Sequence, residues 1–209
     1  IGDWPTPEPG PGEVLVALRA TGINPSDVKK RAGAFPDLLD EGPVIPHSDG
    51  AGIITAVGSG VPASRIGERV FVYQAQYERS HGTAAQWVAI DSTRAPSLPD
   101  GTSFEVGACL GIPVLTSHRC VFADGQVKDQ WILVTGGAGR VGHYAIQWAH
   151  HAGARVIATA SNEADAASCR SAGAHDVVNH REAGWGLQVL EHTGGAKIDR
   201  ANDVEFGAN

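Results

Sequence analysis

The sequence predicts an α/β protein in two parts, a small β-barrel domain followed by a partial, doubly wound parallel sheet. Three observations carry this. The first half is a series of short β-prone segments interrupted by Pro and Gly. After Pro99-Asp100-Gly101 the pattern changes to strands alternating with helices. A chain of 209 residues with 42% hydrophobic content is long and apolar enough to fill two ordinary cores. The change of pattern divides the chain into residues 1–111 and 112–209.

In the first part, residues 14–18, 52–57, 69–73 and 85–89 are rich in β-branched and aromatic side chains and read as strands. Residues 25–31 begin with Pro25 and predict a short helix, and Pro36, Pro43 and Pro46 mark a loop before the second strand. In the second part, 103–110 and 113–122 read as helices. Residues 131–135, Trp-Ile-Leu-Val-Thr, form a continuous apolar run of the kind buried in a parallel sheet. A helix over 139–152 places Val141, Ala145, Trp148, Ala149 and Ala152 on one stripe. A strand at 155–160, a helix at 163–171 and a short strand at 176–178 follow. That makes three parallel strands, or four if another begins at Ile198, where a complete sheet of this class has about six. The sheet is therefore expected to be unfinished. The chain contains no methionine, so its natural N-terminus is expected upstream of Ile1.

Between the first strand and the first helix of this alternation stands Gly137-Ala138-Gly139-Arg140-Val141-Gly142, a G-x-G-x-x-G run. In that context the first glycine permits a tight turn and the second lets backbone approach a pyrophosphate. The third lets helix and strand pack closely, while the helix start offers N–H groups and a positive dipole end. The run predicts a dinucleotide site, the alternative being a plain tight turn between strand and helix.

Composition excludes several other functions. Glycine supplies 27 residues, well above the usual share of about 7%, with no fixed period, which argues for tight turns and against a fibrous chain. A formal charge of -7 gives no reason to expect nucleic acid as a partner. No apolar run is long enough to span a membrane and the start lacks a basic, apolar leader, so the cytoplasm is the expected compartment. Cys109, Cys120 and Cys169 are odd in number and widely spaced, as suits reduced thiols. Nine histidines occur without Cys-x-x-Cys or His-Glu-x-x-His spacing, and no metal site is expected. Ser59 follows a strand in the wrong half and lacks the full G-x-S-x-G elbow, and Cys109 lies in an apolar helix, so neither reads as a nucleophile.

Gly22-Ile23-Asn24-Pro25-Ser26-Asp27, then residues 45–52 (Ile-Pro-His-Ser-Asp-Gly-Ala-Gly), then Leu110-Gly111-Ile112-Pro113, and finally the glycine run with Asn179-His180-Arg181-Glu182 beyond it, resemble the medium-chain dehydrogenase/reductase superfamily. Within it they are similar to the zinc-free quinone oxidoreductase and zeta-crystallin branch. The resemblance implies a GroES-like substrate domain followed by a Rossmann cofactor domain. It also implies NADPH as cofactor, with a quinone or other small conjugated carbonyl compound as hydride acceptor, and a homodimer when full length. An enoyl or 2-alkenal reductase, or a non-catalytic nucleotide-binding protein, would share the same fold. Where the zinc alcohol dehydrogenases place a cysteine ligand this chain has Asn24, and where they have Gly-His-Glu it has His47-Ser48-Asp49, so zinc is not implied.

Carried over position by position, the resemblance implies that Gly137, Ala138, Gly139, Arg140, Val141 and Gly142 line the pyrophosphate. Ser161 and His180 fall at the adenosine ribose, Lys29 and Asn209 at further cofactor contacts, Thr116 near the nicotinamide, and Asn24 at the substrate end. The branch often has tyrosine where Lys29 stands. Asn24 before Pro25 also fits a turn-setting residue, and Thr116 a packing residue on its helix. The second strand of the parallel sheet ends at Ala160-Ser161 with no carboxylate, which favours NADPH over NADH, with Arg170 and Arg181 in segments near a 2'-phosphate. The alternative is that Glu163 turns back to the ribose.

Overall fold

The computed structural model describes residues 2–40 and 42–203. The chain divides between Ile112 and Pro113 into two compact units, each with its own core.

The first unit is built on a four-stranded antiparallel sheet: β1 (Glu13–Gly22), β2 (Asp49–Val57), β3 (Arg69–Val72) and β4 (Trp87–Asp91), in the order β3-β2-β1-β4. Alternate residues Val14, Val16, Ile54, Val70, Val72, Val88 and Ile90 turn to one face and form the buried cluster. The central strands are longer than their β-prone runs. β1 continues to Gly22 because its second half still pairs with β2, where Thr21 faces Gly50 and Gly22 faces Asp49. A Cβ on Gly52 would lie 2.1 Å from the Ala17 carbonyl, so only glycine allows the two strands to approach there. Between β1 and β2 come α1 (Pro25–Arg31), entered through Asn24 with Pro25 in its first turn, and a 3-10 turn at Pro36–Leu39. After β4, the stretch read as a helix over 103–110 is a single turn, α2 (Phe104–Gly107), capped by Ser103 Oγ.

α3 (Ile112–Phe122) leads into the second unit, where β5 (Trp131–Val134), β6 (Arg155–Ala160), β7 (Asp176–Asn179) and β8 (Arg200–Asn202) pair in parallel in the order β7-β6-β5-β8. The connections α4 (Arg140–His151) and α5 (Glu163–Ala172) carry the chain outward from β5 to β7. It then returns through α6 (Trp185–His192) to set β8 on the other side of β5. The order reverses between β5 and β8, which is where sheets of this class bind their ligands. β6 shows why the sheet is covered twice: Val156, Ala158 and Ala160 belong to the cluster with α4 and α5, and Ile157 to the one with Val189 of α6. On α4 the buried residues are Gly142, Ala145, Ile146 and Ala149, whereas Val141 of the expected stripe is only half-buried. The face is turned because Gly142 must seat against the Gly136–Gly137 turn. α6 lacked a sequence signal because two glycines, Gly184 and Gly186, interrupt its start.

Candidate active site

The glycine run folds as the β5–α4 turn. Gly136 has φ +56°, and its N–H donates to Thr159 Oγ1 (3.0 Å) while the Gly137 N–H donates to the Thr159 carbonyl (2.9 Å). The turn is thereby tied to β6. A Cβ on Gly137 would meet Cys169 Sγ at 2.8 Å, Ala158 Cβ at 2.9 Å and Ile146 Cδ1 at 3.0 Å; one on Gly142 would meet the Gly136 carbonyl at 2.4 Å. These two glycines are packing requirements. Gly139 differs: it is exposed, precedes Arg140 as the N-cap of α4 and donates no side-chain cap. Its missing Cβ would touch only the Gly136 carbonyl, at 3.0 Å, so it leaves open the approach to the helix start. Ala138 and Val141 are half-buried beside it and Arg140 is exposed.

At the ends of β6 and β7, the His180 N–H donates to the Ala160 carbonyl (3.3 Å), which draws His180 toward Ser161. Both are half-buried, and His180 Nδ1 is a buried nitrogen without a hydrogen-bond partner. Arg181 is exposed, its backbone N–H held by Asn179 Oδ1 at 3.0 Å. Arg170 and Glu163, which the sequence placed near the cofactor ribose, are paired with each other along α5. They border a cavity of about 260 Å³ lined also by Asn162, Asn179, Glu182 and Gln188.

The first unit holds a second polar cluster. Asn24 is buried, and it is more than a turn former: its Nδ2 donates to Asp49 Oδ2 (2.8 Å), and its backbone N–H donates to Asp27 Oδ2 (2.8 Å). Asp49, 1% exposed, also accepts the Ile112 N–H at 2.8 Å. A Cβ on Gly111 would lie 2.0 Å from Asp49 Oδ1, so glycine there makes room for the carboxyl group. Burial raises the Asp49 pKa from 3.8 to about 6, against the lowering effect of the Ile112 and Asn24 hydrogen bonds and with a further rise from the nearby Asp27 charge. Asp27 Oδ1, Asp49 Oδ1 and Ser26 Oγ are buried without hydrogen-bond partners. The Asp49 carboxyl group was missed in the sequence because nothing in the Ser48-Asp49-Gly50 stretch shows that Asn24, 25 residues away, will close on it.

Lys29 is exposed on α1, next to Lys30, whose Nζ donates to Gln76 Oε1 at 2.8 Å. Thr116 is half-buried on α3 in the second unit, while Asn24 and Lys29 are in the first. Asn209 lies outside the described residues. Among the described residues no group of three or more His, Cys, Asp or Glu side chains is placed to hold a metal ion.

Residues 10–100 match the alcohol dehydrogenase GroES-like domain family and residues 141–204 the zinc-binding dehydrogenase family. The chain is 38% identical over 206 residues to the quinone oxidoreductase of Mus musculus, covering 97% of this chain and 59% of that protein. By these matches the chain is similar, over nearly all of its length, to the quinone oxidoreductases of the medium-chain dehydrogenase/reductase superfamily. Among solved members of the superfamily, the Escherichia coli quinone oxidoreductase complexed with NADPH superposes with a TM-score of 0.77 at 32% identity, over 94% of this chain and 59% of that one. An NAD-dependent alcohol dehydrogenase superposes with a TM-score of 0.86 at 32% identity, over 96% and 65%. The chain thus spans about three-fifths of the length of its curated quinone oxidoreductase relatives. Its second part matches a family described as zinc-binding, yet the resemblance puts Asn24 and Ser48 at ligand positions where neither supplies an imidazole, thiolate or carboxylate, and the carboxylate of that stretch, Asp49, is held by Asn24 Nδ2 and the Ile112 N–H. The residues present do not fit a catalytic zinc.

Proposed function

We propose that the complete protein is a cytoplasmic, homodimeric, zinc-free quinone oxidoreductase that uses NADPH. The observation that carries this reading is the β5–α4 turn. Gly137 and Gly142 are compelled by packing, but Gly139 keeps a helix start open to an anionic ligand at the point where the strand order reverses. Gly137, Ala138, Gly139, Arg140, Val141 and Gly142 are assigned to the pyrophosphate, Ser161, His180 and Arg181 to the adenosine side, and Thr116, Lys29 and Asn209 to the remaining cofactor contacts. NADPH supplies a hydride, and the protein holds the acceptor against it and keeps water out. Asn24, fixed by Asp49 and Asp27, is assigned to the acceptor. The net charge of -7 disfavours nucleic acid as a partner, and the three free cysteines suit a reducing compartment. No helix among the described residues is long and apolar enough to cross a membrane.

The test is steady-state NADPH oxidation by the full-length protein with quinones, enals and enoyl thioesters, in the presence of a zinc chelator. Quinones are expected to give the highest kcat/KM, unaffected by chelation. Faster turnover of enals or enoyl thioesters would reassign the acceptor class, and no turnover of any of them would point to a non-catalytic protein. Light scattering of the same protein is expected to give twice the monomer mass.

A further inference from the structure

One face of the parallel sheet in the second unit is built from apolar residues of its central strands. Ile132 and Val134 of β5 and Val156 and Ala158 of β6 turn to it and pack with Ala145 and Ile146 of α4. Partners in register on parallel strands point to the same face, so β8 adds Arg200, opposite Ile132, and Asn202, opposite Val134. The Arg200 guanidinium donates to the Val121 carbonyl. The Asn202 amide has no such outlet. Asn202 is only 6% exposed, and its Nδ2 is buried without a hydrogen-bond partner. Folding withdraws that NH2 group from water and gives it nothing in return, a cost that an apolar side chain at the same position would not carry.

The place of Asn202 in the fold shows what the amide is kept for. It ends β8 beside the end of β5, and the strand order reverses between these two strands. Its carbonyl accepts the Thr135 N–H (3.2 Å) and the Thr135 hydroxyl (3.4 Å), which ties it to the residue that leads into the Gly136–Gly137 turn. The side chain lies on the face that α4 covers, at the end of the sheet from which α4 starts. The helix start left open by Gly139 belongs to that same end. Free backbone N–H groups, a positive dipole end and an unpartnered amide donor therefore share one end of the sheet, where proteins of this class take their ligand. Each of the three calls for an oxygen acceptor, and every residue involved belongs to the second unit.

We propose that Asn202 is a binding residue for the dinucleotide, its Nδ2 donating to an oxygen of the phosphate and ribose backbone at the β5–β8 crevice. The assignment rests on the NADPH-dependent reading above. An amide suits the position, because it offers two hydrogens and, being neutral, costs less to leave buried in the unliganded protein than a lysine or arginine. Cofactor binding makes the hydrogen bond that folding leaves unmade, so Asn202 lowers the stability of the free protein and raises its affinity.

The experiment uses the full-length protein, Asn202→Leu and Asn202→Asp, with thermal melts in the absence of NADPH and calorimetric titration with it. Asn202→Leu is close in shape and has no polar atom to satisfy. It is expected to melt at or above the wild-type temperature and to bind NADPH about tenfold more weakly, as the loss of a hydrogen bond to a charged acceptor predicts. Asn202→Asp exchanges the donor for an acceptor and is expected to bind more weakly still. An NADPH affinity within twofold of the wild type in either variant, whatever its melting temperature, would overturn the assignment. A measurement without any variant guards against poor folding: in wild-type protein labelled with nitrogen-15 asparagine, the NH2 signals of Asn202 are expected to shift when NADPH is added, and signals that stay in place would overturn the assignment. A wild type that takes up no NADPH would overturn the cofactor reading and this assignment together, whereas a wild type that binds no better than its variants would overturn this assignment alone.

Discussion

At the residue scale the group with the largest consequence is the Asp49 carboxyl. Its pKa is raised from 3.8 to about 6 in the folded protein by burial. The folded state therefore binds the proton more tightly than the unfolded chain between those values. For this group, stability is greatest below about pH 4, falls as pH rises toward 6, and levels off above it, with a total loss of about 3 kcal/mol. Asp49→Asn keeps an acceptor for Asn24 and Ile112 but cannot ionise. Its unfolding free energy, measured with denaturant from pH 4 to 7.5, is expected to fall less across that range than the wild type's. A parallel decline in both proteins would show that Asp49 is not the group responsible. The sequence marked Asn24 by its place in a recognisable motif, but the carboxyl group that grips it became visible only when β1 and β2 were paired.

At the scale of the element, the glycines of the β5–α4 turn separate into two physical roles. Gly137→Ala forces a methyl group against Cys169, Ala158 and Ile146 at 3.0 Å or less, and is expected to cost about 1–3 kcal/mol by overpacking. Gly139→Ala meets only one carbonyl oxygen, and Gly139 has φ −68°, which alanine adopts freely. It is expected to fold with nearly unchanged stability and to bind NADPH at least tenfold more weakly, because its methyl group occupies the approach to the helix start. Thermal melts and calorimetric titrations of the two full-length variants check this. A Gly139→Ala protein with wild-type affinity would show that the turn is structural only.

At the scale of the whole molecule the prediction concerns cofactor choice, which the superpositions leave open because both NADPH-bound and NAD-dependent proteins share this fold. β6 ends at Ala160-Ser161 with no carboxylate to repel a 2'-phosphate, and the nearest acid, Glu163, is paired with Arg170. The full-length enzyme is expected to show a higher kcat/KM with NADPH than with NADH, and Ser161→Asp to move that ratio toward NADH. A wild-type preference for NADH would refute the assignment of Ser161 to the ribose phosphate.

The sequence by itself determined the two-part α/β architecture, the parallel strands β5 to β7 and the glycine turn. Each of these depends on local rules: apolar runs bounded by turn residues, a strand-to-helix change at a fixed spacing, and the need for a missing Cβ. Only the tertiary structure decided the length of β1, the buried face of α4, the existence of α6, and the Asn24–Asp49 contact. All of these depend on residues far apart in the chain meeting across a sheet, where packing and the pairing of buried polar groups override local preference.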